Sequence, residues 1–255
     1  VIPAGSPIFG IGNKEAITSL SNCYVVDSPV DSYGGILKSD QELAQLMKRR
    51  GGVGIDISTL RPAGTRVSNS AGSSTGAVSF MSRFSNTTRE VAQEGRRGAL
   101  IITIDISHPD SQKFILAKDD LTKITGANIS VKITDEFMQA VLENGVYEVY
   151  HHRQKGEKPI LINAREVFKT LVHQAWKTAE PGVLFWDRII KESPADCYDE
   201  FKTISTNPCG ELPLCAYDSC RLMHVNVYEY IINPFTESAY FDIDSYKEDV
   251  YKAKD

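Results

Sequence analysis

Short apolar, β-branched runs recur along this chain at Asn22–Val26, Val53–Ile57, Ala99–Asp105, Asn128–Ile133 and Val183–Trp186, and helical spacing fills most of what lies between them. That alternation constrains the fold more than any other feature. Strands separated by helices are too far apart along the chain to join as tight hairpins, so they return through crossovers and align parallel. The first expected helix runs from Ile36 to Arg50 behind an Asp31-Ser32 cap, with Ile36, Leu37, Leu43, Leu46 and Met47 on one face. Others are expected over Ala77–Val91 and Ser111–Lys118, from the Thr134 cap onward, and over Ala164–Thr178, where Val167, Leu171, Ala175 and Trp176 fall near one face. Val146–Tyr150 reads as a further strand or as one arm of a hairpin excursion reaching residue 163. Residues 1–20, rich in Gly, Pro and Ser, read as an irregular approach to the first strand.

Two polar stretches interrupt this pattern. Arg61–Gly76 has no apolar period and is dense in Gly, Ser, Thr, Asn and Arg; a loop of that length inside a compact fold is usually functional or disordered. Gln93-Glu94-Gly95-Arg96-Arg97-Gly98 breaks the helix before the third strand, and its paired arginines suit either a phosphate or base contact or a solvated charged turn.

A third stretch carries the chemistry. Ser205-Thr206-Asn207-Pro208-Cys209-Gly210-Glu211-Leu212-Pro213 sets an amide, a thiol and a carboxylate on backbone that two prolines and a glycine hold out of regular structure. There Glu211 can act as a general acid or base, and Asn207 can donate to a developing charge. The five cysteines, Cys23, Cys197, Cys209, Cys215 and Cys220, contain no Cys-x-x-Cys pair and do not read as a secreted disulfide scaffold. Cys197 and Cys215 read as buried thiols. His151-His152 adjoin and are expected to point apart, so no metal site is expected. A net charge of −5 argues against nonspecific nucleic-acid binding, and without an apolar run of about 18 residues no membrane span is expected, leaving the cytoplasm as the default location.

Asn207-Pro208-Cys209-Gly210-Glu211 resembles the finger loop of ribonucleotide reductases, most closely the adenosylcobalamin-dependent class. Further segments fall in that family's order: Ser21-Asn22-Cys23-Tyr24-Val25-Val26, Gly51-Gly52-Val53-Gly54-Ile55-Asp56, Leu60-Arg61-Pro62-Ala63-Gly64, Gly95-Arg96-Arg97-Gly98-Ala99 and Asp218-Ser219-Cys220. The resemblance implies half of a ten-stranded α/β barrel, with the first half-barrel over about residues 20–200, the finger loop over about 203–222 and a truncated helix over 244–255, all in one partial catalytic domain. The start at Val1 and the uncapped final helix add the expectation of a fragment or one piece of a split protein.

The resemblance also implies roles. Cys209 becomes a thiyl radical that takes the 3′-hydrogen of a ribonucleotide, Glu211 accepts the 3′-hydroxyl proton and Asn207 bonds the sugar. Cys23 and Cys220 supply two electrons and close into a disulfide, while Ser6 and Asn22 contact the substrate. Asp31, Ser32, Arg61 and Ser68 match positions around a dNTP or ATP effector, with Gln93 and Arg97 relaying effector identity to the substrate base. Cys220 follows Cys209 by eleven residues in an Asp-Ser-Cys context, which resembles the cobalamin-dependent enzymes rather than those served by a radical-generating partner subunit. The implied partners are a thioredoxin-like dithiol reductant, a chain carrying the second half-barrel and a second copy in a homodimer. The alternatives are an incomplete nucleotide-binding or assembly module that needs a second chain, or a large subunit that uses a radical partner. Di- and triphosphate substrates remain open.

Overall fold

The computed structural model describes residues 1–93, 96–152 and 158–254, with the side chains of residues 92, 93, 96, 97 and 254 left aside. The chain forms two compact units, Cys23–Cys220 and a smaller one that joins Val1–Asn22 to Arg221–Asp255.

The larger unit is built on β1 (Cys23–Val25), β2 (Gly52–Asp56), β3 (Leu100–Asp105), β4 (Asn128–Ile133) and β5 (Gly182–Phe185). Each pairs in parallel with the next, so spatial order follows sequence order. Ser219–Cys220 adds an antiparallel strand beside β1. Sequential order requires every crossover to return over the same face of the sheet. The crossovers carry Tyr33–Met47, Met81–Glu90, Ser111–Ile115, Asp135–Glu143 and Ala164–Thr178. Ser32, Thr134 and Asn163 cap three of these helices, accepting from Gly35 N, Phe137 N and Glu166 N at 3.0–3.1 Å.

Strand side chains alternate faces, and here the two faces differ sharply. One presents Val53, Ile55, Leu100, Ile102, Ile104, Ile129, Val131 and Ile133, which pack with Leu43, Met47, Phe84, Phe114, Phe137 and Leu171 of the crossovers in the main core. Each such side chain contributes about 1.5–3 kcal/mol on burial. The other face presents Gly52, Gly54 and Asp56 on β2, Thr103 and Asp105 on β3, and Asn128, Ser130 and Lys132 on β4. It receives the finger loop, and the ring of Trp186, the first residue of the helix Trp186–Glu192, lies 4.5 Å from Lys132 Nζ.

Several expectations need correction. Leu37 is 47% exposed and Trp176 81% exposed, so neither belongs to its helix's core face; buried Gln174 takes the place expected of Trp176 and donates to Asp119 at 3.1 Å. Cys197 is exposed in a short 3₁₀ turn, Pro194–Cys197, whereas Cys215 is buried as expected. The rings of His151 and His152 lie 4.3 Å apart instead of diverging, because both sit in irregular backbone. The hairpin excursion is present as expected, with Val146–Val149 and Ile160–Asn163 as its two antiparallel arms. A helix at Trp186–Glu192 follows β5 directly.

In the smaller unit Ile2–Pro3 pairs antiparallel with Met223–His224, and a one-turn helix spans Ser6–Gly10 within the stretch read as irregular. Its C-terminal helix, Ile243–Lys254, packs Tyr246 edge-on to Tyr230 at 5.3 Å, and Tyr230 donates to Asp249 at 2.8 Å.

Candidate active site and nucleotide pocket

The finger begins as Thr203–Thr206 and returns as Pro213–Cys215, paired antiparallel. Two bare positions on β2 allow it to lie against the sheet. A Cβ at Gly54 would overlap the carbonyl of Thr206, and one at Gly52 would fall 2.8 Å from Pro208 Cγ. Polar side chains of the same face then fasten it. Thr103 and Ser205 share a hydroxyl–hydroxyl bond of 3.0 Å, Lys132 Nζ donates to Ile204 O at 3.3 Å and Asn128 Nδ2 donates to Pro208 O at 2.9 Å. Lys132 also pairs with Asp56 at 2.8 Å and Asp105 at 2.9 Å, so its three N–H donors are matched by three acceptors. Burial works against its charge, but the two carboxylates outweigh that and hold its pKa above the ordinary lysine range.

The tip is self-supporting. Gly210 N donates to Asn207 O at 2.9 Å, and Gly210 itself sits at φ +86°, the left-handed region that favours glycine. Asn207, fully buried, donates from Nδ2 to Glu211 Oε1 at 2.5 Å and accepts from Leu212 N at 3.0 Å. This fixes the carboxylate beside the amide while Cys209 stays exposed.

Cys23 and Cys220 stand directly opposite in the antiparallel pair at the sheet edge. Residues so placed have Cα atoms about 4.5–5.5 Å apart, within the range a disulfide spans. Both are free thiols here. Burial, then the neighbouring Cys220, pushes the Cys23 thiol up to about 12, opposed by a hydrogen bond from Asn207. Burial likewise raises Cys220, with Glu211 adding to the effect. The finger residue Pro208 packs against Gly52, the β2 partner of Cys23, so the thiol pair and the finger tip share one end of the sheet.

A separate pocket of about 240 Å³ brings together Asp31, Ser32, Arg61 and Ser68, four of the six expected effector residues. Arg61 donates from Nε to Asp31 Oδ2 at 2.8 Å and from its backbone N to Oδ1 at 3.1 Å, which fixes the guanidinium at the pocket wall. The other two, Gln93 and Arg97, lie on Ala92–Gln93 and Arg96–Arg97, a short antiparallel pair. Their side chains, and Glu94-Gly95, lie outside the described residues. In the smaller unit Ser6 N donates to Asn22 Oδ1 at 2.9 Å, while the buried Asn22 Nδ2 has no partner among the described residues.

Sequence reading missed Asp56, Thr103, Asn128 and Lys132. Their signal was a polar residue at every second position of strands that look apolar when read as continuous runs, as in Asn128-x-Ser130-x-Lys132.

Comparison with known proteins agrees with this fold. The family model for the ribonucleotide reductase barrel domain matches residues 21–254. A vitamin B12-dependent ribonucleoside-diphosphate reductase of Thermoplasma acidophilum is 36% identical over 255 residues, covering 99% of this chain and 32% of that protein. One of the same description from Mycobacterium tuberculosis (strain CDC 1551 / Oshkosh) is 35% identical over 211 residues, 82% of this chain and 30% of that protein. The ribonucleoside-diphosphate reductase large subunit of Variola virus is 27% identical over 272 residues, 94% of this chain and 34% of that protein. The chain thus spans about a third of the length of these curated relatives. With a parallel sheet, a thiol-bearing finger on its polar face and a family match over nearly its whole length, this chain belongs to the ribonucleotide reductase barrel-domain family.

Proposed function

We propose that this chain carries the catalytic thiols of a cobalamin-dependent ribonucleotide reductase that makes 2′-deoxyribonucleotides under allosteric control. The observation that carries the reading is the registered Cys23–Cys220 pair on the sheet whose neighbouring strand seats the finger bearing Cys209, Glu211 and Asn207.

Each residue has a task. The Cys209 thiyl takes the C3′ hydrogen while Glu211 accepts the 3′-hydroxyl proton, and Asn207 holds that carboxylate in place. With a radical at C3′, the 2′-hydroxyl leaves as water carrying one hydrogen from the Cys23–Cys220 pair. The second hydrogen of the pair replaces it at C2′, the two sulfurs join, Cys209 returns its hydrogen to C3′ and Glu211 returns its proton to the 3′-oxygen. Atoms and electrons balance: two thiols become a disulfide, and one hydroxyl becomes water. The raised pKa values of Cys23 and Cys220 keep both thiols protonated at neutral pH, as hydrogen donors must be. Asn22, whose buried Nδ2 has no partner among the described residues, and Ser6 are assigned to substrate binding.

When bound, adenosylcobalamin supplies the one-electron chemistry that turns a thiol into a thiyl radical. The tip suits such a bulky group, since Cys209 is exposed and nothing lies within 4 Å of where a Gly210 side chain would be. The names of the relatives and the short Cys209-to-Cys220 spacing favour this cofactor over a radical-generating subunit. The 240 Å³ pocket is assigned to a dNTP or ATP effector, with Arg61 facing the phosphates. A thioredoxin-like dithiol restores the cysteines, a second half-barrel completes the site, and the assembly is a homodimer in the cytoplasm.

Cys209→Ser is expected to abolish deoxynucleotide formation by the complete assembly, measured by chromatography of product, while leaving effector affinity unchanged. Wild-type turnover in that variant would overturn the thiyl assignment.

A further inference from the structure

A buried carboxylate ties together the two ends of the loop over one side of the 240 Å³ pocket. Asp110, 3% exposed, follows β3 in the turn His108-Pro109-Asp110. Its two oxygens accept from Ala63 N at 3.2 and 3.1 Å, and Oδ2 also accepts from Ala77 N at 3.0 Å. Ala63 and Ala77 are the two ends of the loop that contributes Val67, Ser68, Asn69 and Thr75 to the pocket. One side chain therefore joins both ends of the loop at its neck.

The neck has little room to spare. Gly76 sits at φ +89°, and a Cβ there would overlap Asp110 Oδ2 and fall 2.7 Å from Ala63 N. Asp110 is itself held, because its backbone N donates to His108 Nδ1 at 2.9 Å. With Nδ1 accepting, the His108 proton lies on Nε2, which donates to Leu60 O at 2.8 Å, one residue before Arg61. The turn thus fastens the pocket wall at Leu60, Ala63 and Ala77. Beyond the neck, Ser74 N bonds Thr65 O at 2.8 Å and Val67 N bonds Gly72 O at 3.1 Å, so the loop extends as a narrow two-stranded flap whose direction is set at its base.

We propose that Asp110 is a positioning residue for nucleotide binding: by clamping Ala63 to Ala77 it holds the flap so that Ser68 lines the pocket together with Asp31 and Arg61. The proposal rests on reading that pocket as the effector site. Asp110 touches no ligand and acts through the loop alone.

The test uses the full chain, with dTTP and Mg²⁺ as the probe in calorimetric titration and site-resolved amide hydrogen exchange as the second readout. Asp110→Asn keeps the shape but turns one acceptor toward the Ala63 and Ala77 amides into a donor. It is expected to weaken dTTP binding at least tenfold and to speed exchange at Ala63 and Ala77, with protection in Ala164–Thr178 unchanged. Gly76→Ala, which crowds the same neck without altering the carboxylate, is expected to do the same and serves if Asp110→Asn does not fold. Binding as tight as wild type in both variants, or protection lost across the whole sheet, would overturn the proposal. Arg61→Ala separates the two readings. If the wild-type chain binds dTTP and Arg61→Ala does not, while both neck variants bind normally, only the Asp110 proposal falls. If wild type binds no nucleotide, the effector reading fails and takes the proposal with it.

Discussion

Cysteine behaviour in this chain is set by surroundings more than by residue type. Cys197 and Cys209 are exposed, whereas burial raises the thiol pKa of Cys23, Cys215 and Cys220. A raised pKa leaves less thiolate at any pH below it, and the thiolate is the species that alkylates. At pH 8, iodoacetamide should therefore label Cys209 and Cys197 first, with Cys23, Cys215 and Cys220 following at least tenfold more slowly by peptide mass spectrometry. Equal labelling of Cys23 and Cys197 would contradict this account. The irregular backbone around Cys209 was legible because two prolines and a glycine lie beside it. The exposure of Cys197 was not, since a cysteine between Asp196 and Tyr198 reads equally well as a small buried apolar residue.

Among the elements, helices and strands were legible wherever a local rule decides them. Ser32, Thr134 and Asn163 cap helices with their own side chains, and β4 lies where its β-branched run does. What the polar face of the sheet packs against was not legible, because that depends on a finger 72 or more residues away from Lys132. Lys132 joins β4, through Asp56 and Asp105, to β2, β3 and the finger strand. Lys132→Met would leave Asp56, a buried carboxylate, without its cation, so urea unfolding is expected to show a loss of about 3–5 kcal/mol. A loss under about 1 kcal/mol would place the pair among weak surface bridges instead.

Across the whole molecule, five parallel strands in sequence order match one half of the ten-stranded barrel that the resemblance implied, and the chain covers about a third of its relatives. Among the described residues no helix is long and apolar enough to cross a membrane. The division into two units was not legible, since the smaller one joins residues from both ends of the chain. Such a pairing leaves no local pattern in the sequence. The central claim concerns the thiols the sheet brings together, and one anaerobic single-turnover experiment tests it most directly. This chain, assembled with a chain carrying the second half-barrel, is mixed with adenosylcobalamin, effector and ribonucleotide but no external dithiol, then quenched with alkylating reagent and mapped by mass spectrometry. The account predicts one deoxynucleotide per active chain and a disulfide between Cys23 and Cys220, with Cys209 back in the thiol form. Deoxynucleotide formed while Cys23 and Cys220 both remain alkylatable would contradict it.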